Sequence, residues 1–217
     1  MIKAKKNKVA IWMFRLVQKR KVRTMFAKLY VKDHREQQQP GLYIVNHSSW
    51  WDPMIVSELN VQKILHDVYV MTSYEGMKKV PIFKLIGAYS IDKDDRKHVL
   101  ASLRYTEQLL KEKKTVCIFP QGEERHLEER PLVFQQGIAM IARRLPEVPV
   151  FPVTLYYSFR NTSKQEIWVQ IGEAISVQQS TTREQLNSLF ETILTEQLTQ
   201  LKTDVIQNQT VAYKQYL

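Results

Sequence analysis

Leu42-Tyr43-Ile44-Val45-Asn46-His47-Ser48-Ser49-Trp50-Trp51-Asp52-Pro53 contains the switch on which the fold turns. The first four residues are an apolar run bounded upstream by Pro40-Gly41, and they read as a short buried strand. Pro53 is placed as the first residue of a helix running to about Leu59. A polar loop lies between them. The same alternation continues downstream: Val68–Met71, Ala88–Ile91, Thr115–Phe119, Val148–Leu155 and Ile167–Ile171 read as strands. Short helices broken at Pro81 are expected over residues 74–86. Longer ones run from Asp94 or Asp95 to about Lys113, over Phe134–Arg144, and from a cap at Thr182, with Leu186, Leu189, Phe190 and Ile193 along one face. Strands interleaved with helices predict an α/β fold: one domain with a mostly parallel or mixed sheet flanked by helices. Val148-Pro149-Val150-Phe151-Pro152-Val153 carries two prolines, so it is read as an edge strand or a cavity wall.

The length of 217 residues suits a single domain. Apolar residues at 44% and charged residues at 25% exclude a disordered chain. The lone Cys117 excludes an internal disulfide, points to a reducing compartment, and reads as a buried inert thiol. His34, His66, His98 and His126 have no ligand spacing, so no metal site is expected. No run approaches the ~18–20 apolar residues of a spanning helix, and no secretory signal is expected at the N-terminus. The Asn-x-Ser/Thr triplets at Asn46, Asn161 and Asn208 are therefore taken as chance.

The net charge of +10 is not spread evenly. Residues 1–32 hold 11 Lys/Arg and no acid, whereas the rest holds 21 basic and 22 acidic side chains. The excess lies in this arm, which is set apart as residues 1–32, with the domain proper over 33–217. Val9, Trp12, Met13 and Leu16 follow helical spacing, as do Val22, Met25, Phe26 and Leu29. An apolar stripe beside Lys19-Arg20-Lys21 suits a helix lying in an anionic membrane interface, with Trp12, Phe14 and Phe26 entering it. The alternative is a helix whose apolar face packs on the domain. Nucleic acid is not expected as a partner, because nothing else in the chain matches a nucleic-acid module.

His47 and Asp52 stand in the strand-to-helix loop with four residues between them. An imidazole there can take a proton from a hydroxyl, while a carboxylate on its other nitrogen fixes the tautomer. A helix-capping Asp52 beside an incidental His47 is the other reading of the spacing. Phe119-Pro120-Gln121-Gly122 ends an apolar strand in a turn where glycine lets a ligand approach the backbone.

Taken in order, these segments resemble the glycerolipid acyltransferase family. Asn46–Asp52 matches its Asn-His-x4-Asp motif, Gly87–Lys93 resembles the second, Phe119–Gly122 the start of the third, and Val148–Val153 the fourth. The resemblance spans roughly residues 40–175. It implies a peripheral membrane O-acyltransferase on the cytoplasmic face, with His47 and Asp52 catalytic. It also places Asn46, Lys93, Arg96, Gln121, Gly122, Glu123 and Arg125 around a lysophosphatidate-type acceptor. The donor would be acyl-CoA or an acyl-carrier protein, used as substrate with no resident cofactor. Amides near Gly122 are the candidates for holding the oxyanion.

The chain departs from that family's pattern in the third motif, Phe119-Pro120-Gln121-Gly122-Glu123-Glu124-Arg125. The family commonly continues Glu-Gly-Thr-Arg. Two carboxylates beside a phosphate repel it, so a non-phosphate acceptor such as a glycolipid hydroxyl is the alternative. A non-enzymatic lipid-binding protein is the rival of another class.

Overall fold

The computed structural model describes the chain except Asn161 and Gln179, so the expectation about the Asn161 triplet lies outside the described residues. The helices are α1 (Lys8–Met25), α2 (Asp52–Val61), α3 (Tyr74–Lys79), α4 (Arg96–Lys111), α5 (Gly137–Arg144) and α6 (Arg183–Ile206), with a 3-10 segment at Pro81–Ile86. The strands are β1 (Phe26–Asp33), β2 (Leu42–Val45), β3 (Val68–Ser73), β4 (Ala88–Ile91), β5 (Thr115–Ile118), β6 (Val150–Ser158), β7 (Gln165–Ile171) and β8 (Lys214–Gln215). They form one mixed sheet in the order β4-β3-β5-β2-β6-β7-β1-β8. From β4 to β6 neighbours run parallel; β7 is antiparallel to β6, β1 parallel to β7 and β8 antiparallel to β1.

Each strand divides its side chains between two cores. Tyr43 and Val45 of β2, with Phe151, Val153 and Leu155 of β6, face α1 and α2. Leu42 and Ile44 face the other side, where Leu103 of α4, Ile138 of α5 and Leu186 and Phe190 of α6 close the layer. The helix ends follow from the sequence. Asp95 caps α4 through the amides of Lys97 and His98, and Thr182 with Gln185 forms a reciprocal capping box on α6. Along α6 the buried stripe is Leu186, Phe190, Leu194, Leu198 and Leu201, whereas Leu189 is exposed.

Two expectations and one alternative reading are corrected. First, residues 1–32 do not form a separate arm, because β1 is an interior strand of the sheet, paired with β7 and β8. Phe26, expected to enter a membrane, is buried against Trp51 and Tyr157 at ring-centroid distances of 5.2 and 6.0 Å. Second, the apolar face of α1 does not pack on the domain. Val9, Trp12, Met13 and Leu16 point outward, all more than half exposed. The helix docks through its opposite side, by Val22 and a buried Gln18 whose amide donates to Glu58 (2.9 Å) and accepts from Ser57 (2.7 Å) on α2. Third, β6 is a central strand despite Pro152. The Pro152 carbonyl accepts from Gly172, just past the end of β7, so the side of the residue that lacks an N–H faces the point where β7 has finished.

At the β4 margin, residues 2–7 bond Ser90 of β4 and the 3-10 segment, where Lys5 and Asn7 donate to the Lys84 and Leu85 carbonyls. Ser90 donates its N–H to the Ile2 carbonyl, Ile2 donates to Ser90 Oγ, and Lys6 pairs with Asp67 at 2.7 Å. No helix among the described residues is long and apolar enough to cross a membrane.

Candidate functional site

β2, flanked by β5 and β6, delivers its carboxyl end to the centre of the sheet edge, the position where open α/β sheets place their sites. His47 follows Val45 by two residues and so emerges on the α2 side. Asp52 opens α2, yet it makes no cap there; its carboxylate turns back on the preceding loop. Its Oδ2 accepts from the amides of Ser48 (2.7 Å) and Ser49 (2.9 Å) and meets His47 Nδ1 at 2.8 Å. Oδ1 accepts from the Tyr157 hydroxyl at 2.6 Å. A fully buried carboxylate thus has hydrogen-bond partners at both oxygens. The His47 ring stacks on Phe119 with centroids 4.5 Å apart.

The third motif braces the first. Gln121 is buried and its Oε1 accepts from the His47 amide at 2.7 Å, while the His47 carbonyl accepts from the Arg125 amide at 2.9 Å. Gly122 sits at φ 75°, a conformation that disfavours a Cβ, and its own N–H donates to the Phe119 carbonyl. That amide is committed to the turn and does not serve an oxyanion.

His47 opens into a cleft of about 660 Å³, within the range of ligand pockets. Its walls are largely apolar and include Phe14, Trp50, Met54, Val68, Met71 and Phe119. The two tryptophans part company: Trp50 is exposed at the cleft, whereas Trp51 packs edge-on to Phe26.

Residues 27–156 match the family profile described as Acyltransferase. The chain belongs to the acyltransferase family. Its fold is similar to that of the crystal structure of the 1-acyl-sn-glycerophosphate (LPA) acyltransferase, PlsC, from Thermotoga maritima. The TM-score is 0.66 at 18% identity, over 88% of this chain and 79% of that one. No curated protein matches the sequence.

In this acyltransferase the expected acceptor residues separate into two groups. Lys93, Gly122 and Glu123 line the cleft. Asn46, Gln121, Arg96 and Arg125 do not. Asn46 is buried and bonds Leu155 of β6 through both ends of its amide. Gln121 is occupied by His47, and Arg96 is exposed in the first turn of α4. Arg125 is drawn aside by Glu123, with Glu129 at 3.8 Å. The charged lining is consequently acidic on balance: Glu75, Asp92, Asp94, Glu123 and Glu124 against Lys79 and Lys93. Lys93 itself lies 4.0 Å from Glu123.

Cys117 is fully buried on β5, and burial pushes its thiol far up, so it does not supply a thiolate nucleophile. Sequence reasoning missed Tyr157. The signal was there in period-2 alternation, since Val153, Leu155 and Tyr157 share the β6 face that looks toward α2.

Proposed function

We propose that the protein moves a fatty acyl group from a thioester donor, acyl-CoA or acyl-carrier protein, to the hydroxyl of a lysophosphatidate-type acceptor in phospholipid biosynthesis. The observation that carries this reading is the His47–Asp52 pair at the mouth of a largely apolar cleft in an acyltransferase-family chain. His47 accepts the acceptor's hydroxyl proton on Nε2 while Asp52 steadies the Nδ1–H and the developing imidazolium. The acceptor oxygen attacks the thioester carbonyl. Collapse of the tetrahedral intermediate forms the ester and releases the thiolate, which takes the proton from the imidazolium. No covalent acyl-enzyme is needed.

Work at an anionic membrane surface, on its cytoplasmic side, is supported by α1. Trp12, Met13 and Leu16 stand outward beside Arg15, Lys19 and Arg20, and Phe14 on the same helix reaches the cleft. A helix so built would deliver lipid directly to the site.

The acidic lining favours a second reading of the acceptor, as a hydroxyl on a neutral group such as a glycolipid. A phosphomonoester bears about −1.5 to −2 charges at neutral pH and meets net negative charge at this cleft. Mass spectrometry of the products formed from palmitoyl-CoA and a panel of lysophospholipids and glycolipids decides between them. Ester formation on none of these acceptors would overturn the enzymatic reading in favour of lipid binding alone.

A further inference from the structure

We propose that Tyr157 is a positioning residue for acyl transfer, holding Asp52 in the orientation and charge distribution that His47 requires. The inference rests on His47 acting as the base. Asp52 divides its work between its two oxygens. Oδ2 takes His47 and the amides of Ser48 and Ser49, and Oδ1 takes the Tyr157 hydroxyl. The backbone amides are fixed by the loop, so the tyrosine sets the rotation of the carboxylate about its own bond. Tyr157 is fixed in turn. It stands at the end of β6 with its ring tilted on Phe26, which is wedged edge-on against Trp51.

Tyr157 is not part of the cleft wall, and it lies one residue beyond the segment that matches the family profile. It therefore acts through Asp52 and not on the substrate. Burial, reinforced by the Asp52 carboxylate, holds its phenol well above the usual value, so it stays a donor at neutral pH.

The hydroxyl also shares the negative charge of Asp52. Without it, that charge falls more fully on the His47 imidazolium, and His47 titrates at higher pH. The cleft in front of the pair also carries Glu75, Lys79, Asp92, Lys93, Asp94, Glu123 and Glu124, with Arg125 paired to Glu123. They are unchanged in the variants below.

The test follows the imidazole titration by ¹⁵N–¹H NMR on the full chain, with the His47 signal assigned by its loss in His47→Ala. In Tyr157→Phe the titration midpoint should rise by about half to one pH unit. Replacing Tyr157 by 3-fluorotyrosine, a stronger donor of nearly the same size, should lower it by roughly a few tenths of a unit. With palmitoyl-CoA and 1-palmitoyl lysophosphatidate, the Phe variant should lose about three- to tenfold in kcat at neutral pH with the KM for palmitoyl-CoA unchanged. If Tyr157→Phe fails to fold, the fluorotyrosine protein decides alone. An unmoved midpoint in the folded variants, with His47→Ala inactive, overturns the positioning role only. Wild-type turnover by His47→Ala overturns the base assignment, and this inference with it.

Discussion

The side-chain amide of Asn46 grips Leu155 at both of its backbone groups: Oδ1 accepts the Leu155 N–H at 2.7 Å and Nδ2 donates to the Leu155 carbonyl at 3.1 Å. The β2–β6 ladder ends with Val45 opposite Val153, so this side chain continues the ladder one step beyond the strand. The residue after it is His47, and the residue two past Leu155 is Tyr157. The two elements that bring partners to Asp52 are thus set against each other by one amide. In Asn46→Ala both Leu155 groups are left buried and unpaired, which should cost about 2–4 kcal/mol in urea unfolding. A loss below about 0.5 kcal/mol would show that the grip is incidental.

His47→Ala should fold normally and lose about 10²–10⁴-fold in acyl transfer, because a half-buried loop residue is removed along with the base. Asp52→Asn should keep more activity than this. Its amide oxygen can occupy the Oδ2 position, and the Tyr157 hydroxyl can rotate to accept from the new NH₂. Circular dichroism alongside rates from palmitoyl-CoA checks both; wild-type rates in a folded His47→Ala protein would end the mechanism.

Cys117→Ser should retain activity and lose about 1–3 kcal/mol of stability, since a hydroxyl replaces a thiol that is fully buried in the α1/α2-side core. A folded but inactive Ser variant would bring back a covalent cysteine route.

Trp12→Ala/Leu16→Ala should weaken sedimentation with anionic vesicles about tenfold or more while leaving the melting temperature unchanged, because both side chains already face outward. Point changes are the right tool, since deleting residues 1–30 would also remove Gln18, Val22 and much of β1. High salt should weaken the wild type in part by screening Lys19, Arg20 and Lys21. Undiminished binding in the double variant would place the membrane contact elsewhere.

Glu123→Thr/Glu124→Arg should shift a competition between lysophosphatidate and a neutral glycolipid toward lysophosphatidate. It removes two carboxylates from the lining, adds a cation and frees Arg125 from its ion pair. If the wild type already prefers lysophosphatidate strongly and the double variant gains nothing, the acidic lining does not select the acceptor.

The strands around the site were legible because their ends carry local punctuation. Pro40-Gly41 opens β2, Pro120 follows β5, and Asp95 and Thr182 cap the helices where their side chains can reach the first amides. β1 was not legible. A register shift between Phe26 and Lys28 breaks its alternation, and burial then falls on Phe26, Leu29, Tyr30 and Val31. With Val22 in the preceding helix, that spacing imitates one continuous helical face. At the site, the His47–Asp52 contact was readable from a five-residue offset. The separation of Arg125 and Arg96 from the cleft was not, because it depends on an ion pair with Glu123 and on the direction of α4.

The Ile2 contact with Ser90 of β4 has a counterpart at the far margin, where β8 covers β1. Both margins of the sheet thus meet other backbone, Ile2 on one side and β8 on the other, with Lys6 paired to Asp67 beside the first. Exposed strand margins are templates for polymerisation, and a protein with Trp12, Met13 and Leu16 facing outward has added reason to cover them. Removing residues 1–6 would leave α1 and the active-site loop in place yet strip Ser90 of β4 of its Ile2 partner, baring a strand edge of the kind that pairs with other chains.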